Sequence, residues 1–231
     1  MLEVKHYIGL DLGQVSDYSA LVSLRREQEI PEATKPRAIS FGELAREHLQ
    51  REVKQQPLER PRYYCNIAER FERGTPYTTL VDNVSKLFED PKFAGQTLVV
   101  DGTGVGRPVV DLFRKAKIKC RLLPVTITAG GASAALGQVK IDEFGYWHVP
   151  KKELVGGVQV LLGTSRLEVA PRLTHAATLV RELKNFSYKI NAQTAHVSLE
   201  SWREKDHDDL VLALALAIWA GERARQELWI R

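Results

Sequence analysis

The stretch that most restricts this chain is residues 97–101, Thr-Leu-Val-Val-Asp, followed at once by a glycine-rich turn and an amphipathic segment. A short apolar run without polar alternation describes a strand buried on both faces. Such a strand needs helices above and below it, and parallel strands bring them, because each parallel pairing requires a crossover. The neighbouring sequence supplies them. GTPYTTLVDNVSKLFED (74–90) carries Leu80, Val81, Val84, Leu87 and Phe88 at helical spacing, with Thr75 expected as N-cap and Pro76 at the first helical position. GRPVVDLFRKA (106–116) reads as a second helix and CRLLPVTI (120–127) as a further strand. With YYCNIAERF (63–71) read as a strand, the succession β-α-β-α-β predicts an α/β fold with parallel pairing and helices covering the sheet.

The remaining segments extend that frame. YIGLDLG and SALVSL predict a hairpin around the polar turn GQVSDY, and VKIDEFGYWHVP (139–150) predicts another, turning near Phe144-Gly145. Residues 26–36 read as a loop or strand extension and 40–60 as a short exposed helix. KKELVGGVQVLLGTS (151–165) is an amphipathic helix through Leu154, Val155, Val158, Leu161 and Leu162, weakened by Gly156 and Gly157. RLEVA is a short strand, and HAATLVRELKNF (175–186) is a helix with Val180, Leu183 and Phe186 inward. YKINAQTAHVSL (188–199) reads as a strand pair or extended segment, and DHDDLVLALALAIWAGERARQE (206–227) as a long apolar helix packed on the sheet. No repeat, low-complexity tract or linker divides the chain, so one domain over 1–231 is expected.

Composition excludes several classes. At 44% apolar and 27% charged the chain is an ordinary soluble protein with a real core. No stretch approaches the ~20 apolar residues of a membrane span. The opening MLEVKHYIGLDLG lacks the basic, apolar and small-residue order of a secretory signal. Cys65 and Cys120 are too few for a disulfide framework and have no metal-type spacing, so both are expected as reduced thiols of a cytoplasmic protein. The net charge of +4 is mild, but between residues 107 and 153 nine basic side chains meet four acidic ones. A local basic excess, which includes Arg107, Lys140, Lys151 and Lys152, attracts polyanions such as nucleic acid. Each such residue is also compatible with a merely solvated surface.

The chemistry lies in acids at the ends of apolar segments: Asp11 in YIGLDLG, Asp101 ending TLVVD, and Asp208-Asp209 opening the last helix. Each alone has a plainer account. Asp11 suits a turn, Asp101 can cap the turn after it, and Asp208 or Asp209 suits a helix N-terminus. Together they repel unless a cation joins them. An oxygen-only donor set suits hard ions such as Mg²⁺ or Mn²⁺, and two of them can clamp a phosphodiester displacement. His207, beside this group, is expected to support the ligands rather than bind an oxygen-preferring ion, and Asp17 is a turn residue at its margin.

DGTGVG (101–106) is not a nucleotide loop. Its glycines give G-x-G-x-G, no acid stands about 20 residues on for a ribose, and the chain holds no G-x-x-x-x-G-K-[ST]. A tight turn, or a loop that lets a backbone approach, fits better.

On these stretches the sequence resembles the nuclease domain of the large terminase subunit of tailed bacteriophages. YIGLDLGQVSDYSAL, ERFERGTPYTTLVDNV, LVVDGTGVGRPVVDLF, HVPKKELVGGVQVLLGTSRLEVAP, LVRELKNFSYKI and HDDLVLALALAIW occur in order and cover most of the chain except residues 26–60. The resemblance implies an RNase H-like fold, with a mixed central β-sheet, helices on both faces and an extra β-hairpin near the active site. It implies a two-metal endonuclease cleaving double-stranded viral DNA during packaging in the host bacterial cytoplasm. Asp11 would bridge the metals, Asp101 would be the second acid, and Asp209, helped by Asp208, would complete the set. The 139–149 hairpin would help place DNA beside Lys151 and Lys152. Implied partners are an ATPase motor domain, absent from this P-loop-free chain, a portal and a small terminase subunit; the isolated domain is expected to be monomeric. Two rivals remain open: an ATPase of the actin and sugar-kinase class, which has an early GxDxG strand, and a non-catalytic nucleic-acid-binding module.

Overall fold

The computed structural model describes residues 1–13, 17–30, 60–128, 139–192 and 208–227. One eight-stranded mixed sheet organises them. Its strands are β1 (Leu2–Asp11), β2 (Ser19–Glu29), β3 (Arg62–Phe71), β4 (Thr97–Asp101), β5 (Arg121–Thr128), β6 (Lys140–Ile141), β7 (Trp147–Pro150) and β8 (Leu167–Val169). Five helices cover it: α1 (Tyr77–Leu87), α2 (Gly106–Ala116), α3 (Lys151–Gly163), α4 (Ala176–Ala192) and α5 (Asp209–Glu227). The spatial order is β6-β7-β5-β4-β1-β2-β3-β8. β1, β2 and β3 form an antiparallel meander, whereas β1, β4, β5 and β7 run parallel. The expected TLVVD strand is β4, fully buried between β1 and β5.

Two cores flank the sheet. Ile8, Leu10, Leu98 and Val100 face one core with α1 and α2; Tyr7, Val99 and Val125 face the other with α3, α4 and α5. From Leu210 to Gly221 helix α5 is buried almost all round, because β1 and β2 lie beneath it and α3 and α4 pack against it. Gly9 permits that seating. A Cβ there would lie 1.9 Å from the Ala213 carbonyl oxygen, so the helix rests directly on the strand backbone. Among the described residues no helix is long and apolar enough to cross a membrane.

Several local expectations need correction. Helix α1 begins at Tyr77, with Pro76 in the cap position and no side-chain cap; the Thr75 hydroxyl donates instead to the Glu72 carbonyl. On α3, Leu154, Val158 and Leu161 are buried, but Leu162 is exposed. On α4 the inward face is Ala176, Leu179, Glu182 and Leu183, while Val180 is 39% exposed. Residues 188–192 continue α4 instead of forming a strand. The helix expected in 40–60, apart from its last residue, and the extended segment after 192 lie outside the described residues.

Candidate active site

Strand register brings the first two acids together. β1 and β4 are parallel with Leu10 opposite Val100, so Asp11 and Asp101 end adjacent strands at the same level. Neighbouring strands run about 4.8 Å apart. Both carboxylates share the parity of Tyr7 and Val99 and therefore project to the α5 side. Both are buried. The carboxyl edge of parallel strands is where open α/β sheets place their sites.

Helix α5 carries the other acids to that edge. It runs antiparallel to β1: Gly221 lies against Tyr63 near the far end of the sheet, and Ala213 lies against Gly9. One helical turn back from Ala213 is Asp209, and two strand residues on from Gly9 is Asp11. At 1.5 Å and about 3.3 Å per residue, both steps span roughly 6 Å, which sets Asp209 over the end of β1. Asp209 is buried and Asp208 half-buried, and the Asp208 carbonyl accepts the Leu212 N–H at 2.9 Å in the first turn. Among the described residues no three His, Cys, Asp or Glu side chains are grouped so as to hold an ion as they stand.

A cation of the protein itself stands beside Asp209. Asp11 pairs with Ala20, and Ala20 pairs with Arg70, so Arg70 lies two strands across from Asp11 in direct register. Its guanidinium forms an ion pair with Asp209 at 3.4 Å and a closer one with Glu182. The second Glu182 oxygen accepts the Val211 N–H at 3.2 Å, so this residue of α4 also caps α5. Burial pushes the Glu182 carboxyl up to about 7; Arg70 and the Val211 N–H oppose this, and Asp209 and Asp208 add to it.

Neither Glu182 nor Arg70 stands out in the sequence as a site residue. A signal for Glu182 exists: Leu179, Glu182 and Leu183 fall at i, i+3 and i+4, so the acid occupies a core position of its helix. Arg70 is concealed by a β-bulge. Leu24 pairs with Cys65 and Ser23 with Ile67, leaving Asn66 as an extra residue. Tyr63 and Cys65 face the α5 core, and after the bulge Ala68 and Arg70 do so.

The glycine loop is built for closeness to its own chain. Thr103 N–H donates to Asp101 Oδ1 at 2.8 Å, and Ile127 N–H donates to Thr103 Oγ1 at 2.9 Å. Gly104 has φ +61°, and a Cβ on Gly106 would lie 2.1 Å from the Asp101 carbonyl. Asp101 therefore does brace its own turn, as its plainer account expects.

The basic candidates line the same edge. Arg107 opens α2 after this loop, its guanidinium 5.1 Å from the Tyr146 ring centre. Lys151 and Lys152 open α3 directly after β7, and Lys140 pairs with His148 in the β6–β7 hairpin. Arg107, Lys140 and Lys152 are exposed and Lys151 half-buried. Asp17 is exposed in the β1–β2 turn, on the same edge but outside the buried group. His207 lies outside the described residues. Cys65 and Cys120 are free thiols; burial pushes them up to about 12 and about 11.

No family model matches the sequence, and no curated protein matches it. Solved structures do. The chain is similar to the large terminase nuclease from thermophilic phage G20c, at 19% identity over 93% of this chain and 81% of that one, with a TM-score of 0.51. The same nuclease with bound magnesium matches at 18% identity over 94% and 81%, with a TM-score of 0.52. Likeness at this identity is a likeness of fold: the meander, the parallel strands and the helices on both faces form an RNase H-like α/β architecture.

Proposed function

We propose that this chain is a metal-dependent endonuclease that hydrolyses phosphodiesters of double-stranded DNA, as a single nuclease domain over 1–231. One observation carries the reading: two buried aspartates in register at the carboxyl ends of adjacent parallel strands, with the acidic start of α5 seated over them. Burying several carboxylates together is costly unless cations or hydrogen bonds balance them. The donor set is all oxygen and fits Mg²⁺ or Mn²⁺. The magnesium-bound nuclease of the same fold agrees with that chemistry.

In this reading Asp11, Asp101 and Asp209, assisted by Asp208, hold two divalent cations. Such ions supply an activated water and neutralise charge at the scissile phosphate. The protein's own task is to aim the carboxylates and exclude competing geometry. Asp11 and Asp101 are held by strand register, Asp101 also by its bond from Thr103, and Asp209 by the seating of α5. Arg107, Lys140, Lys151 and Lys152 hold the DNA backbone along the edge, a contact that weakens with salt. The work would be done in genome packaging in the host bacterial cytoplasm, alongside an ATPase motor, a portal and a small terminase subunit, with the isolated domain monomeric.

The test is supercoiled plasmid incubated with the protein and Mn²⁺ or Mg²⁺, repeated with EDTA and with Asp11→Asn. Both changes are expected to abolish nicking and linearisation. Cleavage that survives both would refute the reading, as would ATP hydrolysis without any DNA cleavage.

A further inference from the structure

We infer that Glu182 is a positioning residue for the acidic site, acting through Arg70 to keep Asp209 available to a divalent cation. The inference rests on the metal reading above and adds a residue outside that ligand set.

Four observations carry it. Glu182 sits on α4, an element that contributes none of the candidate ligands, yet it is only 4% exposed. A buried carboxylate is costly unless its oxygens are engaged, and both are: one with Arg70, the other with the Val211 N–H. Arg70 in turn reaches Asp209, so one guanidinium is shared between two carboxylates, with Glu182 the nearer. Finally, the bulge at Asn66 is what turns Arg70 to this face, and bulges commonly re-aim a side chain beside a site.

The shared guanidinium sets the direction of the effect. While the nearer Glu182 holds the guanidinium, Arg70 steadies Asp209 at the longer distance. Without the Glu182 charge, the Arg70–Asp209 pairing strengthens and draws Asp209 toward the guanidinium. A cation entering the site then competes with a guanidinium already in place.

The experiment titrates the metal-free full chain with Mn²⁺ alone, by calorimetry and by the electron paramagnetic resonance signal of free Mn²⁺. Glu182→Gln keeps one oxygen for the Val211 N–H and puts an NH2 in place of the oxygen that accepts from Arg70, so the charge and the Arg70 bond are lost together. It is expected to weaken Mn²⁺ binding by about 10–100-fold, the usual cost of losing a ligand's supporting partner. In an Arg70→Gln background the same substitution is expected to change affinity by no more than about twofold, because a residue that acts through Arg70 loses its effect when Arg70 is gone, the non-additivity of coupled sites. Should Glu182→Gln not stay folded, Arg70→Lys tests the link from its other end, since an ammonium keeps the charge but cannot fork between two carboxylates. Its Mn²⁺ affinity is then expected to fall.

Unchanged affinity in the variants, with the parent binding Mn²⁺ and Asp209→Asn losing it, overturns this inference and leaves the metal reading standing. An equal loss for Glu182→Gln with and without Arg70 overturns the route through Arg70. A parent that binds no Mn²⁺ overturns both the metal reading and the inference built on it.

Discussion

Replacing Gly9 by alanine tests the geometry on which the whole site depends. The added Cβ would lie 1.9 Å from the Ala213 carbonyl oxygen, 2.9 Å from its carbon and 3.0 Å from the Ala217 nitrogen. An unstrained carbon-to-oxygen approach is about 3.3 Å. Helix α5 must therefore lift by about 1.4 Å, or β1 must bow by the same amount. The partners are backbone atoms, so no rotamer change relieves the contact. Overpacking of a well-packed core costs ~1–3 kcal/mol, and a clash this deep against backbone belongs at the upper end, about 3 kcal/mol. For a chain of this size that corresponds to a fall of roughly 6–12 °C in Tm. The assay is urea unfolding followed by far-UV circular dichroism, with Gly156→Ala as a matched control. Gly156 lies within α3 and a Cβ there meets nothing within 4 Å, so alanine should stabilise the helix by ~0.5–1 kcal/mol. A Gly9→Ala variant within ~0.5 kcal/mol of the parent would refute the claim that α5 rests on the β1 backbone, since surface-like changes fall in that range. The seating of Asp209 over the end of β1 would fall with it.

Two further predictions follow from other parts of the molecule. Burial lowers the His6 imidazole to about 4, with Lys92 and Arg25 adding to the effect. The unfolded chain thus binds a proton below about pH 6.5 that the folded chain refuses, so stability is lost as pH falls from about 6.5 toward 4, by up to about 3 kcal/mol. His6→Gln should flatten that part of the pH–stability curve, and an unchanged slope would exclude His6 as its source. At the candidate DNA edge, Lys152→Ala should weaken DNA binding uniformly across sequences and reduce the salt slope of log K by about 1. Fluorescence anisotropy with a labelled duplex at several salt concentrations measures this, and an unaltered slope would remove Lys152 from the phosphate contacts.

The elements were largely legible in the sequence because most report their own burial. TLVVD has no polar alternation and is the strand buried between two others; GRPVVDLFRKA matches α2 residue for residue. Errors arose where a side chain's surroundings outweighed its propensity. Val180 suits a core and faces solvent, because the turn of α4 against α5 puts Leu179, Glu182 and Leu183 inward. Proline could not have been displaced from the start of α1, but whether it serves as cap or first residue depends on a single ψ, 139° at Pro76.

For the candidate site the division is similar. Local sequence by itself determined that Asp11, Asp101 and the Asp208-Asp209 pair stand at element ends, since each closes or opens an apolar run. It also shows that the glycine loop matches neither the dinucleotide nor the P-loop pattern. Only the tertiary structure decided which of these ends lie at one edge of the sheet. Parallel register aligned Asp11 with Asp101, and a glycine-to-backbone contact seated α5 over them. The structure alone also supplied Arg70 and Glu182. One extra residue at Asn66 reverses the facing of everything after it in β3, and that insertion is defined by pairing with β2, not by β3 itself. Strand pairing and helix seating are relations between segments far apart in the chain, so no local pattern within either partner records them.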